Sequence, residues 1–368
     1  MQTDAFFVPY VLVTGSHLNA SHGETWKEIT AAGISIDAQV PMPMIDDTSV
    51  SVATAMGQAI PALAQTLSDA NLDGIVILGD RFEALSVATV AMLLNIPIVH
   101  LHGGELTAGA FDDSIRHAIT KMAYLHLVSA EPYRRRIIQM GESPNRVMTV
   151  GATAIDNIAT QEPMSLDAFN SSAGTALTMD FLLVTYHSET LADDLGISGA
   201  RALASVLSEA DQSILVTGSN ADTGGRAISA LFKDLADAHF RRIFFVDSLG
   251  MKRYLAAVRL CAALVGNSSS GIIEAPLLGA PTVNIGDRQK GRLRAPSVID
   301  CAPDVASIST AITKAVSPVF RKICEAKDSP FGKPGATARI INALKNHALP
   351  KSPQKQFFDV SYSEKFDA

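Results

Sequence analysis

Four cationic side chains, Arg288, Lys290, Arg292 and Arg294, fall within seven residues of one loop, Asn284-Ile-Gly-Asp-Arg-Gln-Lys-Gly-Arg-Leu-Arg294. The loop follows a short apolar, β-branched segment, and Gly286 and Gly291 leave its backbone free to approach an anion. Upstream, Gly266-Asn-Ser-Ser-Ser-Gly271 places Asn267 and the hydroxyls of Ser268, Ser269 and Ser270 just before Ile272 and Ile273. A helix starting near Gly271 would aim its free N–H groups and positive end at a phosphate. Glu274, one turn in, could accept from the hydroxyls of a ribose; the plainer readings are serine N-caps and a carboxylate favouring the helix start. Two donor-rich turns in one half of a chain point to a phosphorylated ligand.

The other half is rich in acids at strand ends. Asp80 and Glu83 lie in Gly79-Asp-Arg-Phe-Glu83, Glu105 ends His100-Leu-His-Gly-Gly-Glu105, and Asp112-Asp113 precede Ile115-Arg116-His117. Removing a weakly acidic C–H proton while expelling or protonating oxygen needs an acid and a base together. Carboxylates serve when burial or mutual repulsion raises a pKa. Asp80, Asp112 and Asp113 could equally cap helices, and Arg116 and His117 could pair with the acids one turn away. Glu105, beside Gly103-Gly104, has no comparable capping role. His102 shares a strand face with His100 but lies nearer the exposed end. His187 ends Phe181-Leu-Leu-Val-Thr-Tyr-His187, where it could donate to a phosphate or merely satisfy its own loop. Gly218 and Asn220 open Gly218-Ser-Asn-Ala-Asp-Thr-Gly224, a ligand wall or a plain connection. The P-loop, Gly-x-Gly-x-x-Gly and Gly-x-Ser-x-Gly patterns are missing, which disfavours an ATPase, a simple nicotinamide enzyme and a serine hydrolase.

These turns need elements to carry them. Strands are expected at Phe6–Thr14, Gly74–Leu78, Pro97–Leu101 and Val147–Thr149, with helices at Trp26–Ala32, Ser49–Ala70, Glu83–Leu94 and Glu131–Met140; Ile115–Val128 combines a helix and a strand. The pattern weakens through Gln161–Asp180 and restarts with strands Phe181–Thr185, Ser213–Thr217, Arg242–Val246, Ala263–Val265 and Thr282–Ile285. The helices between are expected at Ala192–Ala210, Arg226–Leu235, Met251–Ala257 and Ile272–Leu278, with a last one at Thr337–Leu344. Such βαβ alternation predicts an α/β protein of two Rossmann-like, doubly wound domains facing across a cleft. The boundaries are drawn at 1–170, joined by a C-terminal helix over 346–368, and 171–345.

Bulk properties narrow the class. At 368 residues the chain suits two domains. A formal charge of −7 argues against nucleic-acid or anionic-membrane binding, so an anion site must be local. Three scattered cysteines without a C-x-x-C pair suggest a reducing compartment and no structural zinc. The chain opens without a signal-peptide pattern, and no uncharged apolar run reaches transmembrane length, so a cytoplasmic location is expected.

Taken together, the six turns resemble the hydrolysing UDP-N-acetylglucosamine 2-epimerases of sialic-acid biosynthesis, including the epimerase domain of the bifunctional animal enzyme. The segments are Gly79–Glu83, His100–Glu105, Asp112–Lys121, Gly218–Gly224, Gly266–Glu274 and Asn284–Arg292, in order along nearly the whole chain. The resemblance implies the two-domain fold of nucleotide-sugar glycosyltransferases, with the chemistry in the first domain and UDP in the second. It implies loss of the C2 proton, anti elimination of UDP, and hydration of a 2-acetamidoglucal to N-acetylmannosamine. No metal or nicotinamide cofactor is implied. Asp80, Glu105, Asp112 and His187 carry over as catalytic. His17, His102, Asp113, Arg116, Gly218, Asn220, Asn267, Ser268, Ser269, Ser270, Glu274, Gly286 and Arg288 carry over as substrate-binding, in a homodimer or homotetramer. The alternatives are the same chemistry on a UDP- or GDP-linked 2,4-diacetamido-trideoxyhexose of legionaminic-acid synthesis, or a catalytically weak nucleotide-sugar-binding protein. Two departures stand out. His102 occupies a place where many relatives have glutamate. The family's opening strand and Gly-Thr/Ser-Arg-Ala-Glu turn, with the arginine near the pyrophosphate, are expected ahead of Val11-Leu-Val-Thr-Gly-Ser-His17 and have no counterpart in this sequence.

Overall fold

A computed structural model describes residues 1–19, 23–46, 48–107, 111–220 and 222–361. The first domain begins with β1 (Leu12–Thr14), α1 (Trp26–Ala31), β2 (Ala38–Val40), α2 (Ser49–Asp69), β3 (Ile75–Leu78) and α3 (Phe82–Leu93). It continues with β4 (Ile98–Leu101), α4 (Asp112–Met122), β5 (Leu125–Val128), α5 (Glu131–Gln139) and β6 (Val147–Thr149). After α6 (Ala154–Thr160) and α7 (Leu166–Ala173) come β7 (Leu182–Thr185), α8 (Ile197–Glu209), β8 (Ile214–Thr217), α9 (Gly225–Ala238) and β9 (Ile243–Val246). Then follow α10 (Gly250–Leu260), β10 (Ala263–Gly266), α11 (Ser270–Leu278), β11 (Thr282–Ile285), β12 (Val298–Cys301), α12 (Val305–Val316), α13 (Pro318–Cys324) and α14 (Ala336–Asn346).

The two α/β domains are built differently. In the second, six parallel strands form one sheet in the order β12-β11-β10-β7-β8-β9, the doubly wound arrangement with its switch between β7 and β10. All four residues of each of β7, β8, β10 and β11 are buried, as helices on both faces demand. In the first, the parallel strands form two sheets, β1-β2 and β3-β4-β5-β6. Val76 and Leu78 of β3 stay exposed, whereas Ile77 enters the core that α2 and α3 cover. The opposite face of β4 and β5 is covered by Ile340 and Ala343 of α14, so the last helix packs on the first domain.

Three expectations change. The strand foreseen over Phe6–Thr14 is only Leu12–Thr14, because Pro9 has no N–H for a ladder and Val11 N–H donates instead to Asp37 Oδ2 at 2.7 Å. The boundary at 170 would cut α7, yet Phe169 is buried in the second domain's core against Phe181. The last helix foreseen, Thr337–Leu344, is α14 and ends at Asn346, and the further helix expected over 346–368 does not follow it among the described residues. Pro350 and Pro353 disfavour its continuation, and residues 347–361 carry no helix; 362–368 lie outside the described residues. The tail holds to the first domain: Lys355 Nζ lies 2.8 Å from both Ala123 O and Glu142 Oε1, and Phe358 N–H donates to Gly141 O. Among the described residues, no helix is long and apolar enough to cross a membrane.

Candidate active site

On the second-domain wall, the switch between β7 and β10 brings His187 and Asn267 together. His187 N–H donates to Asn267 Oδ1 at 2.7 Å, and Asn267 Nδ2 returns a bond to His187 O at 2.8 Å. Asn267, expected on the ligand, is therefore a brace. Its own carbonyl accepts from Gln289 Nε2 and Arg288 Nη1, tying the cationic loop to the same strand end. His187 Nδ1 accepts from Asn220 N–H at 3.1 Å, which leaves Nε2–H as a donor. Burial, then the neighbouring Arg288 charge, lowers this imidazole to about 3, so it is neutral at physiological pH.

Of the four cations in the loop, two face the cleft. Lys290 and Arg294 pair with Asp287 and Asp300 instead. Arg288 is 6% exposed and, among the described residues, its Nε has no hydrogen-bond partner; the same is true of Arg292 Nε and Nη1. Buried donors of this kind make a receptive anion site. Ser268, Ser269 and Ser270 lead into α11 as expected, with Ser269 at its N-cap position, and Glu274 follows one turn later, its carboxyl raised by burial. Gly286 adopts φ +73°, and any Cβ there would strike the Glu189 carboxylate. A Cβ on Gly218 would come within 2.7 Å of Asp247 O. Gly218 thus lets the ends of neighbouring β8 and β9 close together, and Gly286 lets the loop after β11 reach the segment after β7.

On the first-domain wall, Arg116 is the organiser. It is 1% exposed and binds Asp80, Thr107 Oγ1, Asp113 Oδ1 (3.1 Å) and the Glu105 carbonyl (2.8 Å). Expected on the substrate, it is enclosed and orients Asp80. Asp113 is likewise committed, accepting Thr107 N–H at 2.7 Å. Glu105 is buried, with Oε1 accepting from Ser129 at 2.9 Å and lying 3.0 Å from His102 Nδ1, and Oε2 lying 3.3 Å from Arg292. Burial works to raise its carboxyl, but Arg292 and then His102 outweigh that and hold it at about 2. A carboxylate so fixed orients its partners better than it exchanges protons. His102 itself sits at φ +62°, a left-handed conformation rare for histidine, which turns its ring from the strand toward Glu105. His17, expected on the substrate, is exposed and bonds Thr25 Oγ1 at 2.7 Å.

Asp112 differs from both acids. Burial, then the charges of Asp222 and Asp80, raise its carboxyl to about 6, against the opposing pull of Arg288. Arg288 Nη2 stands 3.9 Å from Asp112 Oδ2, across the cleft. The cavity between the walls holds about 480 Å³ and is lined by Ser16, Arg81, His187, Asn220, Asp247 and Ser248 among others. A shallower groove of about 550 Å³ lies between β6 and α14, but its arginines, Arg134 and Arg339, are occupied by backbone carbonyls. Sequence reasoning missed Arg81 and Asp222 as site residues, and named Arg292 only as one of the loop's four cations. Arg81 directly follows Asp80, and Asp222 lies in the very turn that supplies Asn220; only the fold shows that both face the cleft.

The profile of a protein family described as UDP-N-acetylglucosamine 2-epimerase matches residues 1–345. The GDP/UDP-N,N'-diacetylbacillosamine 2-epimerase (hydrolyzing) of Campylobacter jejuni is 35% identical over 98% of this chain and 94% of its own. The UDP-N,N'-diacetylbacillosamine 2-epimerase (hydrolyzing) of Legionella pneumophila is 33% identical over 83% of this chain and 81% of its own. In three dimensions the chain is similar to UDP-GlcNAc 2-epimerase from Neisseria meningitidis bound to UDP-GlcNAc, with a TM-score of 0.77, 15% identity and 94% of each chain covered. That last likeness speaks for the fold. The profile and the two relatives speak for descent, and the chain belongs to the UDP-N-acetylglucosamine 2-epimerase family.

Proposed function

We propose that this protein is a hydrolysing 2-epimerase acting on a UDP- or GDP-linked 2,4-diacetamido-trideoxyhexose. A base takes the C2 proton while the C1–O bond to the nucleoside diphosphate breaks, leaving a C1–C2 double bond in a 2-acetamidoglycal. Water then adds hydroxide at C1 and a proton at C2 on the other face, giving the free 2-epimer. UDP-N-acetylglucosamine, expected first from the sequence, presents the same C1–C2 chemistry and becomes the second reading. The names carried by the 35% and 33% identical relatives favour the diacetamido sugar.

The observation that carries the chemistry is the cross-cleft approach of Arg288 to the buried Asp112, whose carboxyl is raised to about 6, with Arg288 Nε left without a partner among the described residues. In this reading Asp80, held by Arg116, is the base and Asp112 the acid. Glu105 acts through His102, which it orients. His187 Nε2–H, Arg81, Arg288 and Arg292 stabilise the departing diphosphate, and the start of α11 adds its N–H groups. Glu274 receives the ribose hydroxyls.

Each candidate sugar nucleotide is incubated with the protein in deuterated water, and nucleoside diphosphate, free sugar and C2 deuterium are measured. The expected result is release of diphosphate and a C2-deuterated 2-epimer from the diacetamido substrate. Turnover of UDP-N-acetylglucosamine alone selects the second reading. Retained C2 protium in the product removes the elimination mechanism, and nucleotide binding without turnover of any candidate leaves a binding protein.

A further inference from the structure

Asp222 is 2% exposed and takes no step above. It lies in the turn after β8, on the second-domain wall. Its Oδ1 is 3.1 Å from Arg81 Nη2, which reaches over from the N-cap of α3 in the first domain. Its Oδ2 accepts from Asn220 Nδ2 and lies 3.8 Å from Arg288 Nη2. That same Arg288 nitrogen lies 3.9 Å from Asp112 Oδ2 on the opposite wall. Two carboxylates from different domains therefore share one guanidinium. Asp222 has Arg81, Arg288 and the Asn220 amide. Asp112 has Arg288 at longer range, with Asp80 and Asp222 both facing it.

We propose that Asp222 is a positioning residue for the reaction: it holds Arg81 across the cleft and Arg288 on its own wall, and of the two facing carboxyls it makes Asp112 the one that takes up a proton first. The groups bearing on Asp112 are Asp80 beyond β3, Arg81 at α3, and Arg288 and Asp222 from the second domain, while Asp113 and Arg116 on its own helix pair with each other. Those bearing on Asp222 are Arg81, Arg288, His187, Asn220 and Asp112. Burial alone would raise Asp222, but Arg81 and Arg288 outweigh it and keep it ionised.

The inference rests on the proposed role of Asp112 as proton donor, and its test has one arm that needs no turnover. In the first arm, carbon-13 carboxyl NMR follows Asp112 in the wild type, assigned with Asp112→Asn, and again in Asp222→Asn and Asp222→Glu. Asp112 should titrate near 6 in the wild type and in Asp222→Glu, and at lower pH, by about one on the pH scale, in Asp222→Asn. In the second arm, kcat is measured against pH with the sugar nucleotide that the wild type accepts. Asp222→Asn should lose activity about tenfold at pH 7.5 and regain most of it below pH 5, because the protonated fraction of Asp112 falls at the higher pH and is restored at the lower. A loss by one constant factor at every pH marks a merely structural role and overturns the proposal. So does an Asp112 that titrates near 4 in the wild type, a result available even if no Asp222 variant folds. An unmoved titration in a folded Asp222→Asn overturns it too. If no sugar nucleotide turns over while the NMR arm holds, the proposed reaction has failed and the electrostatic coupling has not.

Discussion

The second-domain wall holds its site through the backbone, and the first-domain wall holds its own through charge. The His187 backbone and the Asn267 side-chain amide exchange hydrogen bonds at the switch of a continuous sheet, and the Gln289 and Arg288 side chains donate to the Asn267 carbonyl. Asp80, Asp113 and the Glu105 loop are gathered instead by the Arg116 guanidinium, on a domain whose strands fall into two sheets. A backbone-built site is preorganised and indifferent to pH. A charge-built site can tune proton affinities, at the cost of depending on each member. The division suits a wall that grips a nucleotide and a wall that moves protons.

The sharpest way to break this comparison is to neutralise acids on one side and a cation on the other. Asp112→Asn and Asp80→Asn should each lower kcat by roughly 10²–10⁴-fold, the usual worth of an acid or base. UDP affinity, read by calorimetry, should stay within roughly threefold. Arg288→Ala should do the reverse, weakening UDP by roughly tenfold or more as a charged hydrogen-bonding partner is lost. Equal loss of UDP affinity in all three variants would show that the two walls do not divide the work.

A smaller effect tests the unit formed by Glu105 and His102. Glu105→Gln and His102→Gln should each cut turnover at least roughly tenfold, and the double variant should be no worse than the poorer single one. Additive losses would mean that the two residues act separately and that Glu105 meets the substrate itself.

How much of this could be read beforehand follows the same division. Parallel strands with residues buried on both faces announce themselves as apolar runs, so β7, β8, β10 and β11 were legible, as were the turns that end them. β2, β12 and α12 were not foreseen. β2 is only three residues long, and β12, Val-Ile-Asp-Cys, lies at the sheet's edge with Asp300 exposed, so neither makes a strong pattern. At the site, residue types pointed to the right loops but not to who faces whom. Arg116 reads as a ligand-side cation until the fold encloses it, and Asn267 as a donor until its amide proves committed to His187. Asp222 and Arg81 are ordinary charges in sequence and become a cross-cleft pair only when β3 and β8 end opposite each other. Pairings between domains leave no periodic trace.

The smallest effect compares two buried acids whose proton affinities are displaced in opposite directions. Glu142 is fully buried near the tail, where hydrogen bonds from His126, Lys121 and Lys355 outweigh burial and hold it at about 2. A folded-state value below the ordinary 4.5 means that Glu142 stabilises the fold above that pH and ceases to as pH falls toward 2. Glu142→Gln should therefore lower Tm at pH 7, with the gap narrowing below pH 4.5. Asp112 has the opposite sign. Its folded value of about 6 lies above the ordinary 3.8, so its favourable contribution is present at low pH and disappears as pH rises through that interval. Above pH 6 the fold must keep an ionised carboxyl in a site that resists it. Asp112→Asn removes that burden and should raise Tm by about 1–3 °C at pH 7.5, with the gap closing toward pH 4. Thermal melts of both variants across this range decide the matter. A lower Tm for Asp112→Asn at pH 7.5 would place Asp112 with Glu142, as an acid that holds the structure together, and would remove it from the proton-transfer role.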